Sequence, residues 1–300
     1  MSGAHPVLPN LLPTDGFNQL VAGRHGLILF NKNDTVVGQS ASHYGEYFES
    51  EVDLFAQLIP PGAQVADLGA NIGIHTIAMA RLTGPTGWVF AFEPQRLVFQ
   101  TLCANVALNS LTNVECENKA VSDWDGSILV EDLNPNAQVN FGGLELGTSK
   151  ANRAVAAVKL DSYLNGQHLD FLKADVQGME EACLRGARET LKRCGTILYL
   201  ENDQPEKSPS LISCLFEMEY TVHWHLTQFF NAANYANDPN NIHAVGYFDV
   251  GGRYLVCNGF AINMLCIPKA RKLTINGALE LMDVLEHPLT RGPNRFHPDQ

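Results

Sequence analysis

The segment Val65-Ala66-Asp67-Leu68-Gly69-Ala70-Asn71-Ile72-Gly73 reads as an apolar strand that ends in a carboxylate and a glycine turn, with a helix behind it. An α/β sheet takes its ligand in the crevice outside such a strand end. Dinucleotide sites carry G-x-G-x-x-G there, because backbone must approach a pyrophosphate held at the helix N-terminus. Here Gly69 and Gly73 are spaced G-x-x-x-G, and Asp67 stands just ahead of them. That carboxylate would repel a diphosphate but accept hydrogen bonds from a cationic or amino-bearing ligand. The turn Gly69, Ala70, Asn71 and Gly73 therefore favours S-adenosylmethionine over NAD. The next strand ends in Ala91-Phe92-Glu93-Pro94, placing Glu93 to accept two hydrogen bonds from a ribose diol. Ala120 and Val121, in Ala120-Val121-Ser122-Asp123, are small and apolar enough to sandwich an adenine ring. Three successive strand ends thus cover methionine, ribose and base in order.

Methyl transfer from a sulfonium is an in-line displacement, and a hydroxyl acceptor must also lose a proton. The candidates for that work end the next two strands: Lys173 and Asp175 in Phe171–Gly178, and Glu201 with Asp203 after Leu198-Tyr199-Leu200. Strand alternation puts Lys173 and Asp175 on one face, with Asp175 nearer the ligand edge. Asp175 is the expected base, with Lys173 and Glu201 as its companions. His223, His225 and His243 offer a conceivable divalent-metal set with Asp175 or Glu201, but two histidines in a strand are more often ordinary polar partners, and the expectation is no metal. His75, beside Gly73, reads as a helix-start donor near the cofactor carboxylate. Tyr44 could line the entrance, and Glu46 could reach the methionine end of the cofactor. Phe229, Phe230 and Tyr235 surround an Asn-rich loop and would suit stacking on a sugar or apolar ring.

These groups need a covered sheet to hold them. From Gln64 onward, β-rich runs alternate with helical patterns, the signature of a doubly wound α/β architecture. Strands are predicted over Gln64–Leu68, Gly87–Phe92, Val114–Val121, Phe171–Asp175 and Thr196–Glu201, and helices over Glu46–Ile59, Gln95–Asn109 and Gly178–Cys194. Residues 122–161 read as a β insertion. A helix near Leu211–Met218 and strands over Tyr220–Phe230 and Tyr254–Ile267 follow, the strands separated by the loop Asn231–Asn241. A loop of that length tends to be a functional lid or disordered. Residues from about 285, with Pro288, Pro293 and Pro298, read as a tail.

The 300 residues are 45% apolar and 17% charged, which excludes a disordered or coiled-coil class. A net charge of −12 argues against nucleic acid as partner. The seven cysteines include no C-x-x-C pair, so neither a disulfide framework nor a zinc ribbon is expected. Met1–Asn18 lacks the pattern of a secretory signal and the longest apolar stretch, Tyr254–Pro268, is too short to span a bilayer. A cytoplasmic protein without a membrane partner is the expectation, and a homodimer is compatible with it.

Taken together, the chain resembles the FkbM-type methyltransferases, a branch of the Rossmann-like, S-adenosylmethionine-dependent enzymes. The resemblance covers about residues 44–269. It rests on Tyr44-Gly45-Glu46, the turn Asp67–Gly73 with His75-Thr76, Ala91–Pro94, Asn105 with Asn109, Ala120–Ser122, Leu160-Asp161, Leu172–Gly186 and Asn263–Pro268. It implies a class I methyltransferase sheet with a terminal antiparallel strand, a cofactor set of Glu46, Asp67, Gly69, Ala70, Asn71, Gly73, His75, Thr76, Glu93, Ala120 and Val121, and transfer usually to oxygen in natural-product or glycan-type substrates. Residues 1–43 would then be a lead with short strands, and 270–300 a tail. The family pattern has Glu where this chain has Gln177, the one hint of a cofactor-binding protein without turnover. An NAD-dependent oxidoreductase is the remaining alternative, and it lacks its phosphate glycines.

Overall fold

The computed structural model describes residues 12–143, 151–250, 253–271, 273 and 279–289. Pro293 and Pro298 of the expected tail, and residues 1–11 of the lead, lie outside the described residues. A hairpin, β1 (Asn18–Gly23) and β2 (Gly26–Asn31), comes first, followed by α1 (Val37–Tyr44) and α2 (Glu49–Leu58). The alternation then runs β3 (Gln64–Leu68), α3 (Ile74–Thr83), β4 (Trp88–Phe92), α4 (Arg96–Leu108) and β5 (Val114–Glu117). Next comes β6 (Lys119–Val121), and the insertion that follows holds β7 (Gly126–Val130) and β8 (Arg153–Val158). Next are α5 (Leu160–Leu164), β9 (Phe171–Ala174), α6 (Glu180–Gly186), α7 (Arg188–Cys194), β10 (Ile197–Glu201) and α8 (Ser208–Glu217). The last strands are β11 (Tyr220–Gln228), β12 (Ala244–Val250), β13 (Arg253–Asn258), β14 (Phe260–Pro268) and β15 (Leu279–Glu280).

Eight strands form the main sheet in the order β15-β11-β14-β10-β9-β3-β4-β5. The five from β10 to β5 are parallel, whereas β14 is antiparallel to both β10 and β11. This is the doubly wound class I sheet expected from the sequence. Its strands are apolar on both faces because both are covered. Val65, Val89, Phe171 and Ile197 pack under Phe55 of α2 and Met79 of α3. The alternate residues Ala66, Leu68, Phe90, Phe92, Leu172 and Leu198 pack against α5 to α8 through Leu160, Leu184, Leu191 and Leu211. Each such fully buried side chain contributes about 1.5–3 kcal/mol, so strand register is fixed where the loops of the site emerge.

Four expected elements differ. The run Val114–Val121 is two strands: Asn118 turns out of the ladder, its Nδ2 donating to the Glu93 and Pro94 carbonyls at 2.8 and 3.0 Å, and β6 pairs with β8 in a separate small sheet. The run Gly178–Cys194 is two helices, because the Asp161 carboxylate accepts the Glu189 and Thr190 amides and caps a new N-terminus. The first helix of the expected Glu46–Ile59 starts late, after Phe48 at a left-handed φ of 49°. The last run, Tyr254–Ile267, breaks at Gly259 into β13 and β14.

The N-terminal hairpin packs onto the turn region: Val21, Ile28 and Phe30 join Ile72, Ile74 and Phe141 in one apolar cluster. Asn105 of α4 ties it down, donating to the Leu29 and Ile72 carbonyls at 2.9 and 2.8 Å. Asn109 does the same for Leu27. No helix among the described residues is long and apolar enough to cross a membrane.

Candidate active site

Beside β3 the sheet continues through β4 on one side and through β9 on the other, so the loops after β3 and β9 diverge and leave a crevice at the strand ends. The two loops touch through Gly69, whose φ is +76° and where a Cβ would collide with the Asp175 carbonyl oxygen. Glycine is required for that approach. The crevice holds two chambers. The first, about 610 Å³ with its open mouth, is lined by Glu93, Ala120, Val121, Phe141 and Met179 among others. The second, about 860 Å³ likewise, is lined by Tyr47, His75, Lys173, Glu201, Asp203 and Phe229 among others. Gly69, Asn71, Gly142, Asp175 and Gln177 belong to both walls, so the chambers join across the turn.

In the first chamber Glu93 closes the β3 turn. Its Oε2 accepts the Asn71 amide at 3.0 Å and its Oε1 the Gln95 amide at 2.7 Å. Burial pushes its carboxyl up to about 7, against the pull of those two amides. Each oxygen keeps a further lone pair. Ala120 and Val121 lie opposite it, brought there by β6.

In the second chamber β9 presents Lys173, 4% exposed. Its Nζ lies 3.8 Å from both Asp67 Oδ1 and Asp175 Oδ2, the former across paired register positions of β3 and β9. Burial alone would discharge this ammonium, but the carboxylates of Asp175, Asp67, Glu51 and Glu201 outweigh it and its pKa is raised. At the end of β10 the Glu201 carboxyl is held well above the usual carboxylate range by burial and then by Asp175 and Asp203. Gln177 lies between, its Nε2 donating to Asp175 Oδ1 at 3.0 Å and to Glu201 Oε2 at 2.9 Å. Asp175 is the most open of these acids, its side chain 34% exposed. His75 has its ring against Tyr47 and Phe55, burial keeps it neutral, and its Nε2 lacks a hydrogen bond. Glu51 Oε2 approaches that nitrogen to 3.7 Å.

Not every expected residue reaches these walls. Asp67 is fully buried beneath the turn, its Oδ2 accepting from Thr76 at 2.6 Å; neither residue lines a chamber, and Gly73 lies behind the turn at the start of α3. Glu46 points away to the Asn-rich loop, pairing with Arg24 at 2.7 Å and accepting from Asn231 Nδ2 and the Tyr235 amide at 2.8 Å. Tyr44 serves the same loop, donating its hydroxyl to the Asn240 carbonyl and accepting from the Ile242 amide. The three histidines do not converge: His225 bonds the Tyr199 hydroxyl, His243 the Ser40 hydroxyl, and His223 sits opposite Glu280. Among the described residues no group of three or more His, Cys, Asp or Glu is arranged to hold a metal ion.

The family model described as Methyltransferase FkbM domain matches residues 67–236, more than half of the chain. The chain belongs to this FkbM methyltransferase family. No curated protein matches it significantly. Among solved structures it is similar to an S-adenosylmethionine-dependent O-methyltransferase from Thermotoga maritima, at 13% identity over 86% of this chain and 80% of that one, TM-score 0.45. It is also similar to a methyltransferase FkbM from Methylobacillus flagellatus, at 14% identity over 72% and 50%, TM-score 0.41. A third is Aeropyrum pernix fibrillarin with bound S-adenosyl-L-methionine, at 13% identity over 84% and 94%, TM-score 0.41.

The residues of this FkbM-domain chain suit S-adenosylmethionine. Gly69 lets the loops after β3 and β9 close on one another, Glu93 lines the first chamber with a lone pair left on each oxygen, and the acidic groups of Asp175 and Glu201 favour a cation over a diphosphate. Sequence reasoning missed Tyr47, Phe48 and Phe141 as wall residues and Gln177 as a bridge. Residues 47–48 were expected inside the helix Glu46–Ile59, and only the fold shows them ahead of α2, with Phe48 packed on Phe229 at a centroid distance of 4.4 Å.

Proposed function

We propose that this methyltransferase moves a methyl group from S-adenosylmethionine to a hydroxyl of a small or medium metabolite or a sugar-containing natural product. The observation that carries this reading is the pair of joined chambers meeting at Gly69, Asn71 and Asp175. When bound, the sulfonium supplies an electrophilic methyl carbon. Glu93 would accept the ribose hydroxyls, Ala120 and Val121 would flank the base, and the turn from Gly69 to Asn71 would hold the donor between them. Ala70 and His75 would serve the methionine end, where the neutral ring offers Nε2. Asp67 and Thr76 act from below, bracing Lys173 and the first turn of α3, and Gly73 starts that helix. Asp175 Oδ2 takes the proton of the acceptor hydroxyl, Lys173 Nζ stands 3.8 Å from that oxygen, and Glu201 completes the acidic wall. Tyr47, Phe48 and Phe229 give the acceptor an apolar platform. A chain carrying −12 suits a small-molecule acceptor better than a nucleic acid.

The test is a mass-spectrometric screen of hydroxylated metabolites for a gain of one methylene, run with and without chelator, alongside calorimetry with S-adenosylmethionine and NAD. A gain in at least one hydroxylated compound is expected, unaffected by chelator. Tight NAD binding with none for S-adenosylmethionine would refute the reading.

A further inference from the structure

Gln177 adopts an uncommon backbone conformation, with φ at +53°, a region that glycine, asparagine and aspartate enter more readily. Glu180 fixes the bend around it, its Oε1 accepting the Val176 amide at 3.0 Å and the Gly178 amide at 3.2 Å. The bend turns the side-chain amide inward. Its nitrogen carries two hydrogens, and Nε2 donates to a different carboxylate on each side, Asp175 Oδ1 at 3.0 Å and Glu201 Oε2 at 2.9 Å. Asp175 follows β9 and Glu201 ends the neighbouring β10, and both line the second chamber. Each N–H favours the ionised form of the carboxyl it meets, while holding the two carboxyls on one nitrogen sets each against the charge of the other.

Resting on the methyltransferase reading for the acceptor, we propose that Gln177 is a positioning residue that clamps Asp175 and Glu201 into one proton-sharing pair, and that this pair receives the acceptor's proton. In the ground state one proton is shared between the two carboxyl groups; the acceptor's proton arrives on Asp175 Oδ2 as its oxygen bonds to the methyl carbon, and the sulfur keeps the electron pair of the broken bond. The charged and titratable groups interacting with the pair are Lys173 on β9, Asp203 after β10, Glu180 on α6, Asp67 on β3, Glu93 after β4, Tyr47 ahead of α2 and Glu51 in its first turn. Lys173 favours the ionised pair, and the acidic groups oppose it.

The test is a carbon-13 NMR titration of the full chain labelled at Asp and Glu carboxyls, with the two signals assigned by their loss in Asp175→Asn and Glu201→Gln. In the wild type the two signals should titrate together, with an upper midpoint above that of ordinary carboxylates. Gln177→Gly removes the amide and suits the left-handed backbone; it should lower the upper midpoint by about one pH unit, a roughly tenfold loss of proton affinity. Gln177→Asn also suits that backbone but is too short to bridge, and should follow the glycine variant. Gln177→Glu adds a third negative group and should shift the midpoint the other way. An upper midpoint that stays in place, or that moves in one direction in all three variants, overturns the clamp. The titration needs no acceptor. Opposite shifts without methyl transfer to any hydroxylated compound would keep the clamp and reject the functional reading, whereas methyl transfer with unmoved midpoints rejects the clamp alone.

Discussion

The two chambers of the crevice are built on different principles. Around Glu93 the polar work is local: a carboxylate accepts two backbone amides within the β3 and β4 turns, and small residues face it. Around Asp175 the wall is a set of ionisable side chains from β9, β10 and α3, among them His75, whose Nε2 makes no hydrogen bond. The first chamber is therefore set in shape before a ligand arrives, whereas the second is set by where protons reside. Holding a constant donor requires the former, and deprotonating an acceptor requires the latter.

If this division is right, Asp175→Asn should have the largest effect, lowering turnover by roughly 10²–10⁴-fold while leaving cofactor affinity within a few-fold. Steady-state kinetics with calorimetry checks it; the reverse pattern would make Asp175 a cofactor ligand and blur the distinction. Glu93→Ala should weaken S-adenosylmethionine binding by about 1–3 kcal/mol through loss of charge-assisted bonds. An unchanged dissociation constant removes Glu93 from the site. The pH profile sharpens the comparison further. Burial raises Glu93, and also Glu51 and Glu180, to about 7, so the folded chain holds protons that the unfolded chain has released. Their favourable contribution is complete below the ordinary carboxylate range and is lost as pH rises through about 7. Thermal melts of the ligand-free protein should fall between slightly acid and slightly alkaline pH, and Glu51→Gln should flatten the trend; a melting temperature that climbs over this range contradicts it. The smallest effect belongs to Glu46→Gln, which should raise hydrogen exchange at residues 231–235 and leave cofactor affinity alone. A matching loss of affinity would return Glu46 to the cofactor set.

The fold was legible because its strands are covered on both faces: Val65–Leu68 and Leu198–Leu200 could be read as apolar runs without knowing their neighbours. Where expectation and structure part, a single polar side chain reaches across the chain. Asn118 breaks a strand and Asp161 starts a helix through bonds to backbone 24 to 29 residues away, and nothing in their local sequence announces such a partner. The site divides in the same way. Glu93, Asn71 and Gly69 belong to short turns, so strand-end logic could place them on the crevice that they line. Glu46 was assigned to the cofactor because its distance along the chain from the Asn-rich loop concealed the ties it makes there. Gln177 appeared as a departure from the family pattern, and its meaning depends on Glu201, which arrives from the next strand.

The grip of residues 24–46 on the Asn-rich loop bears on how such enzymes can be re-engineered. Arg24 and Glu46, with Tyr44, hold a loop some two hundred positions later. Grafting the loop alone from a relative would leave the Glu46 carboxylate, 4% exposed, without the Asn231 and Tyr235 donors and with Arg24 as its remaining partner. A recombinant chimera meant to alter acceptor preference should therefore transplant both stretches as one cassette.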